Sequence, residues 1–243
     1  MSADKPMVYI NNLTPEWLID GLRRAAGGES VDEWKKEVTA LIQEKTKGAE
    51  NVRKSLRYLR HIYIEPTEYP ELREEAFSLY RSTSEPERDK MLTWGLATLT
   101  YPFLNEVTII LARLLRVQKD VKMEQFVRRL SETFGEKETV TRSGTRCLKL
   151  IVDYGFLNRS SLGNYTLPRT LKIADPDLAG WLLKIWFVLN AGHGPVDRTA
   201  LSNHPALLFF DAAALLGSGL NSGILSIDRM SMSQETVSIK KSP

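Results

Sequence analysis

Cysteine is almost absent from the 243 residues, since Cys147 is the only one, so an intramolecular disulfide is excluded. The first ten residues, MSADKPMVYI, lack the basic and apolar regions of a secretory signal. Long apolar runs are missing too. The most apolar stretch, 91–117, is interrupted by proline and charged residues, and the runs at 178–191 and 205–217 are too short to span a bilayer. The sequence therefore predicts a cytoplasmic protein without a membrane span.

Motifs of the common enzyme classes are also missing. The sequence contains no GxxxxGK[ST] phosphate loop, no GxGxxG, no HExxH and no paired CxxC. Its histidines, His61, His193 and His204, are far apart, so a metal site would need distant segments. Glu33 and Lys35 have the spacing of part of a nuclease motif, but a helix capping box explains Glu33 better. We therefore expect no cofactor, no metal and no enzyme activity.

Charge of neither sign dominates the chain, because 33 Lys and Arg oppose 30 Asp and Glu, a net charge of +3. The distribution along the chain is uneven. Segments 45–60 and 139–172 each carry six basic residues and one acidic residue, whereas segment 65–90 carries eight acidic and four basic residues. The small net charge therefore conceals two basic segments.

Capping residues and prolines mark several helix starts. Thr14-Pro15, Ser30 with Glu33, and Asp175-Pro176 predict helices that begin at or next to these residues, and another is expected after Ser84. Together with glycine and proline breaks, these signals predict about eight to ten helices and little strand. Strand pairs are expected only within 155–167 and between 224–227 and 236–239.

The most informative pattern lies between residues 123 and 172. A helix with an apolar face ends at Gly135, and a second helix follows in which the basic residues and Cys147 fall on opposite faces at 100° per residue. A small hairpin comes next, and this is the order of a winged helix-turn-helix. The candidate DNA-binding residues of this unit are Arg142, Thr145, Arg146, Lys149, Arg159 and Arg169. A solvated basic face, or a winged helix that binds protein, is the alternative interpretation.

The other basic segment is an amphipathic helix after Asn51. It adds four candidate DNA-binding residues: Arg53, Lys54, Arg57 and Arg60. Like charges four residues apart repel, so these side chains either pair with the acidic segment 65–90, contact phosphates, or remain solvated.

These signals predict a mainly α fold in three segments. Residues 1–118 form a helical N-terminal bundle, and residues 119–173 form the winged helix-turn-helix-like unit with a short β-hairpin. Residues 174–243 form a helical module with an apolar helix near 205–216 and a candidate second wing. No repeat is visible in the amino-acid sequence itself.

Three stretches carry a family resemblance: NVRKSLRYLRHIY at 51–63, LTWGLATLTYPFLNEV at 92–107 and TRSGTRCLKLIVDYGFL at 141–157. Over roughly residues 20–170 the chain resembles the BrxA family of bacteriophage exclusion (BREX) loci. The resemblance implies a non-enzymatic, α-rich, DNA-binding component of an antiphage system that works beside a methyltransferase and ATPases.

We therefore expect a protein that binds double-stranded DNA without catalysis. Two alternatives remain: an adaptor whose basic faces dock acidic protein partners, and an RNA-binding helical protein of the antitermination-factor type. The basic segments lack the interleaved exposed aromatics that stack on single-stranded bases, which favours a duplex over single-stranded RNA.

Overall fold

The computed structural model describes residues 12–192, 194–231 and 234–240, and most of them are helical. The helices are α1 Pro15–Ala26, α2 Val31–Lys45, α3 Ala49–Tyr63, α4 Pro70–Ser82, α5 Pro86–Thr100, α6 Pro102–Leu115, α7 Met123–Phe134, α8 Glu138–Asp153, α9 Pro176–Asn190, α10 Arg198–Ser202 and α11 Ala212–Asn221. The strands are β1 Val121–Lys122, β2 Asn158–Arg159, β3 Asn164–Thr166, β4 Val196–Asp197, β5 Leu225–Ser231 and β6 Gln234–Ile239. The predicted mainly α class is confirmed.

Side-chain caps begin several helices where the sequence predicts them. Thr14 Oγ1 accepts a hydrogen bond from the first turn of α1, Ser30 forms the predicted capping box of α2, and the Asp175 carboxylate accepts two backbone N–H groups of α9. The helix predicted after Ser84 is confirmed as α5, which begins at Pro86 with Glu85 at its N-cap. The Ser84 hydroxyl does not cap it and donates to the Asp89 carboxylate at 2.9 Å.

The N-terminal helices pack around α1, which contacts α2, α3, α4 and α5. The indole N–H of Trp34 donates to the Gly21 carbonyl at 2.9 Å, and the Tyr63 hydroxyl donates to the Leu18 carbonyl at 2.7 Å. A Cβ at Gly21 would lie 2.8 Å from the Tyr63 ring, so α1 and α3 approach closely only because this residue is glycine.

The middle of the chain runs α6-β1-α7-α8-β2-β3, with a three-stranded antiparallel sheet in the order β1-β3-β2. Val121 of β1 and Arg159 of β2 flank Tyr165 of β3. Helix α7 spans the residues predicted for it and ends at Gly135, where φ is +86°. The sequence predicted the hairpin but not β1, which adds a third strand.

The C-terminal segment repeats this order of elements as α9-β4-α10-α11-β5-β6, and its sheet order β4-β6-β5 matches β1-β3-β2. The strand pair predicted at 224–227 and 236–239 is confirmed and extended by β5 and β6. The single helix predicted near 205–216 is wrong. A 3-10 turn covers Pro205–Leu207, and α11 starts afresh at residue 212 because the Asp211 carboxylate caps it.

One continuous apolar core runs through all three segments. Five large aromatic residues of the C-terminal segment are buried in it: Trp181, Trp186, Phe187, Phe209 and Phe210. At the junction, the Trp94 ring of α5 lies 5.5 Å from Tyr154, 4.9 Å from Phe156 and 5.7 Å from Phe209, measured between ring centroids. Edge-on packing of this kind joins the end of α8 and the C-terminal segment to the N-terminal helices.

Among the described residues, no single helix is long and apolar enough to cross a membrane. Helices α5 and α6 pass the length and composition test only when taken together, and they meet at a bend of 105°.

Candidate nucleic-acid interface

Helix α8 has the two opposed faces that its sequence predicts. Val140, Cys147 and Ile151 are fully buried, whereas Arg142 and Lys149 are exposed and Arg146 is half-buried. Burial raises the pKa of the Cys147 thiol well above its ordinary value, so this cysteine contributes to packing as a neutral thiol.

Glycine allows α8 to lie close to α7. A Cβ at Gly144 would overlap the Leu130 side chain, which projects from α7 onto this point. The buried face of α8 is therefore fixed against α7 and α6, and its basic face is held outward.

Two of the basic residues on α8 already have partners on the same helix. Arg142 pairs with Glu138 at 2.5 Å, and Lys149 pairs with Asp153. Exposed pairs four residues apart stabilise a helix by only about 0.3–0.5 kcal/mol, so a phosphate can replace the carboxylate. Arg146 forms no ion pair with any described residue, and it is the most directly available cation of the three.

Thr145 is the weakest of the predicted site residues on α8. It is half-buried, and its hydroxyl donates to the Thr141 carbonyl at 2.8 Å. This bond within the helix directs the hydroxyl to the backbone rather than to solvent.

The β2–β3 hairpin carries a further exposed cation. Arg159 is exposed on β2, and its guanidinium carbon lies 5.9 Å from the centre of the Tyr165 ring. Arg169 is exposed in the irregular segment that follows β3. The structure thus places Arg159 on the hairpin as predicted, whereas Arg169 lies beyond it.

The basic residues of α3 are largely engaged locally. Arg53 and Lys54 pair with Glu50 at 2.8 and 3.2 Å, and hydrogen bonds from Lys54 and Arg53 lower the pKa of Glu50. Arg60 pairs with Glu65 at 3.2 Å. Of the four predicted residues, only Arg60 pairs with the acidic segment 65–90 among the described contacts. The guanidinium of Arg57 lies 5.4 Å from the centre of the Tyr58 ring.

An aromatic corner connects α3 with the turn that leads into α8. The Tyr101 hydroxyl, between α5 and α6, donates to the Tyr58 carbonyl at 2.9 Å, and the two rings are 5.5 Å apart. Two residues further on, Phe103 packs against Phe134, the last residue of α7, at 5.3 Å. These contacts connect the middle of α3, through the turn between α5 and α6, to the C-terminal end of α7.

An acidic feature of the α7–α8 turn was missed by the sequence reasoning. An open depression of about 500 Å³ there is lined by Glu132, Glu136 and Glu138 together with Arg128 and Lys137. The signal that could have revealed this acidic feature is the presence of three glutamates close to Gly135 in the sequence. They disfavour phosphate at the start of α8, so an anionic ligand fits its middle and the hairpin better.

The described residues contain no group of three or more His, Cys, Asp or Glu side chains arranged to hold a metal ion. Comparisons with protein-family models, with curated proteins and with solved structures found no match for this chain.

Proposed function

We propose that the protein binds double-stranded DNA without catalysing a reaction, through α8 and the β2–β3 hairpin. The observation that carries this proposal is the order α6-β1-α7-α8-β2-β3 with sheet order β1-β3-β2, in which α8 presents its basic face outward. We interpret this unit as a winged helix-turn-helix, with α8 as the recognition helix and the hairpin as the wing.

The dimensions of a helix suit this mode of binding. A helix about 10–12 Å across fits a major groove about 12 Å wide. Arginine can form paired hydrogen bonds with guanine or with a phosphate, which suits Arg142 and Arg146, whereas Lys149 supplies a point charge. The hairpin then lies along the adjacent backbone and brings Arg159 to it.

Helix α3 is a second basic surface in this proposal. The aromatic corner connects its Tyr58 region to the C-terminal end of α7, and the pairs of Arg53 and Lys54 with Glu50 are exposed and therefore weak. In this proposal α8 and the hairpin position the duplex, and α3 adds contacts to the phosphate backbone.

The biological setting follows from the resemblance in the sequence. A BREX-type antiphage system would use this protein as a non-enzymatic DNA-binding component in the cytoplasm, beside a methyltransferase and ATPases. The rival functions, an adaptor for acidic protein partners and an RNA-binding protein, would use the same exposed cations.

Titration of a short DNA duplex at several salt concentrations tests the proposal. If about five phosphates are neutralised, the logarithm of the binding constant falls with the logarithm of salt concentration with a slope near −4 to −5. A single-stranded RNA of the same length should bind more weakly. No duplex binding at low salt would refute the proposal and favour the adaptor, and preference for the RNA would favour the third function.

A further inference from the structure

The tip of the β2–β3 hairpin carries an apolar side chain in full contact with water. Leu162 is 88% exposed, more than either of the other large apolar residues exposed in the described part of the chain, Val31 at 45% and Val117 at 82%. Exposed leucines are common on surfaces, but this one occupies the outermost turn of the hairpin that the proposed function places against DNA.

The turn that presents Leu162 is held by a dense set of hydrogen bonds. The Gly163 N–H donates to the Ser160 carbonyl at 3.0 Å, the Ser160 N–H donates to the Asn164 carbonyl at 2.9 Å, and the Asn164 N–H donates to Ser160 Oγ at 3.1 Å. The φ of +78° at Gly163 closes the turn. The side-chain amide of Asn164 also donates to the Asp120 carboxylate at 2.9 Å, which connects the tip to the segment before β1. These hydrogen bonds therefore hold the backbone of the turn that carries Leu162.

Cations lie on both faces of the sheet next to this tip. In the sheet, Lys122 of β1 lies opposite Asn164 of β3, and Arg159 of β2 lies opposite Tyr165 of β3. Because successive residues of a strand point to opposite faces, Lys122 and Arg159 lie on opposite faces of the sheet. Both are exposed. Since Arg159 lies against the Tyr165 ring, its guanidinium is also restrained. A ligand that complements this tip has a narrow apolar region between two rows of negative charge.

We propose that Leu162 is a wedge that enters the minor groove of duplex DNA and partly unstacks one base step. The minor groove is about 6 Å wide and is bordered by phosphates on both sides, so a single side chain fits between them while Lys122 and Arg159 meet the two backbones. Inserted apolar side chains bend DNA toward the major groove. Because pyrimidine–purine steps unstack most easily, a TA or CA step is the expected site. This inference rests on the proposed function, since it requires α8 to hold the duplex.

The experiment uses the full-length protein and a set of short duplexes with 2-aminopurine placed beside a TA step at successive positions, with end labels that report bending by energy transfer. We expect several-fold brighter 2-aminopurine fluorescence and a shorter end-to-end distance when the protein binds. Leu162→Ala should abolish both signals yet weaken binding by less than about tenfold, because phosphate contacts dominate affinity. Leu162→Met should retain both signals, and Val31→Ala, an exposed apolar truncation on α2, should behave as the unchanged protein.

Each contrary result has a separate meaning. If the duplex binds with a steep salt dependence but neither signal appears at any position, or Leu162→Ala keeps both, the wedge is refuted and the proposed DNA binding stands. If the duplex does not bind at all, both are refuted. Sedimentation with phosphatidylserine vesicles that depends on Leu162, without duplex binding, would show that the tip meets an anionic membrane instead.

Discussion

Neutralising the basic face of α8 should cost DNA affinity far more than stability. The variant Arg142→Gln, Arg146→Gln, Lys149→Gln removes three cations that the proposed mode of binding places against phosphates or base edges. Each neutralised phosphate contributes about 0.9 to the salt slope, so the slope should become shallower by about 2.7. With equal binding of both proteins at 1 M salt as the reference, this slope corresponds at 0.1 M salt to a loss of about 500-fold in affinity, or about 3.7 kcal/mol.

The cost in stability follows from the ion pairs. The variant loses the pairs Arg142–Glu138 and Lys149–Asp153, together up to about 1 kcal/mol. For a chain of this size that shifts the melting temperature by about 2–4 °C. Glutamine is preferable to glutamate here, because a glutamate at 142 or 149 would stand beside Glu138 or Asp153 and add repulsion on top of the lost pair.

The chain offers a closely matched control on its N-terminal helices. Arg23→Gln, Lys35→Gln, Lys36→Gln also removes three exposed or half-exposed cations, and all three pair with carboxylates of their own helices, Asp20, Asp32 and Glu37. Anisotropy titrations across a salt series should show a nearly unchanged slope for this control. An unchanged slope for the α8 variant, or equal losses for both variants, would refute the assignment of the interface to α8.

Three further outcomes are expected. Gly144→Ala should destabilise the protein by about 1–2 kcal/mol in urea denaturation, because the overlap of the new methyl group with the buried Leu130 side chain outweighs a gain in helix propensity of about 1 kcal/mol; a higher midpoint would contradict the close packing of α7 and α8. Asp153→Asn should raise duplex affinity several-fold at nearly constant stability, since it frees Lys149 and removes a negative charge from a helix C-terminus; lower affinity in the same titration would count against this surface. Burial and two nearby arginines lower the pKa of His204, so its contribution to stability is present above the ordinary histidine pKa and is lost as the pH falls below it. His204→Asn should therefore flatten the fall in melting temperature between about pH 7 and pH 5, and an equally steep fall in the variant would contradict this reasoning.

Helix positions were readable from the sequence where a local signal sets them. Asp175-Pro176 and the box at Ser30 and Glu33 act within one helical turn, and the structure has both caps as expected. The helix expected after Ser84 begins at Pro86, and the Ser84 hydroxyl donates to the Asp89 carboxylate instead of capping the helix; spacing alone does not show which local hydrogen bond a serine forms. The short strands β1 and β4 were missed because a strand of two residues is too short to show an alternation of apolar and polar side chains. Only the pairing with their partner strands defines them.

The sequence predicted which face of α8 is basic and exposed, but not which ion pairs its side chains form. Periodicity on α8 correctly separated the exposed Arg142 and Lys149 from the buried Cys147. It could not show that Glu138 and Asp153 engage these two cations, because which neighbour a flexible side chain selects depends on geometry. The repeated order of elements was expected only as a candidate second wing, because the sheet order repeats while the residues that build it do not.

The aromatic junction at Trp94 limits how this protein can be dissected. Its partners Tyr154 and Phe209 come from opposite sides of the boundary expected near residue 173. A chain cut there to isolate the part that carries α8 and the β2–β3 hairpin would leave the indole and its neighbours facing water, and would favour aggregation over a folded fragment. Heat or denaturant should accordingly unfold the protein in a single transition. The roles of its individual segments are therefore better tested by point substitution than by truncation.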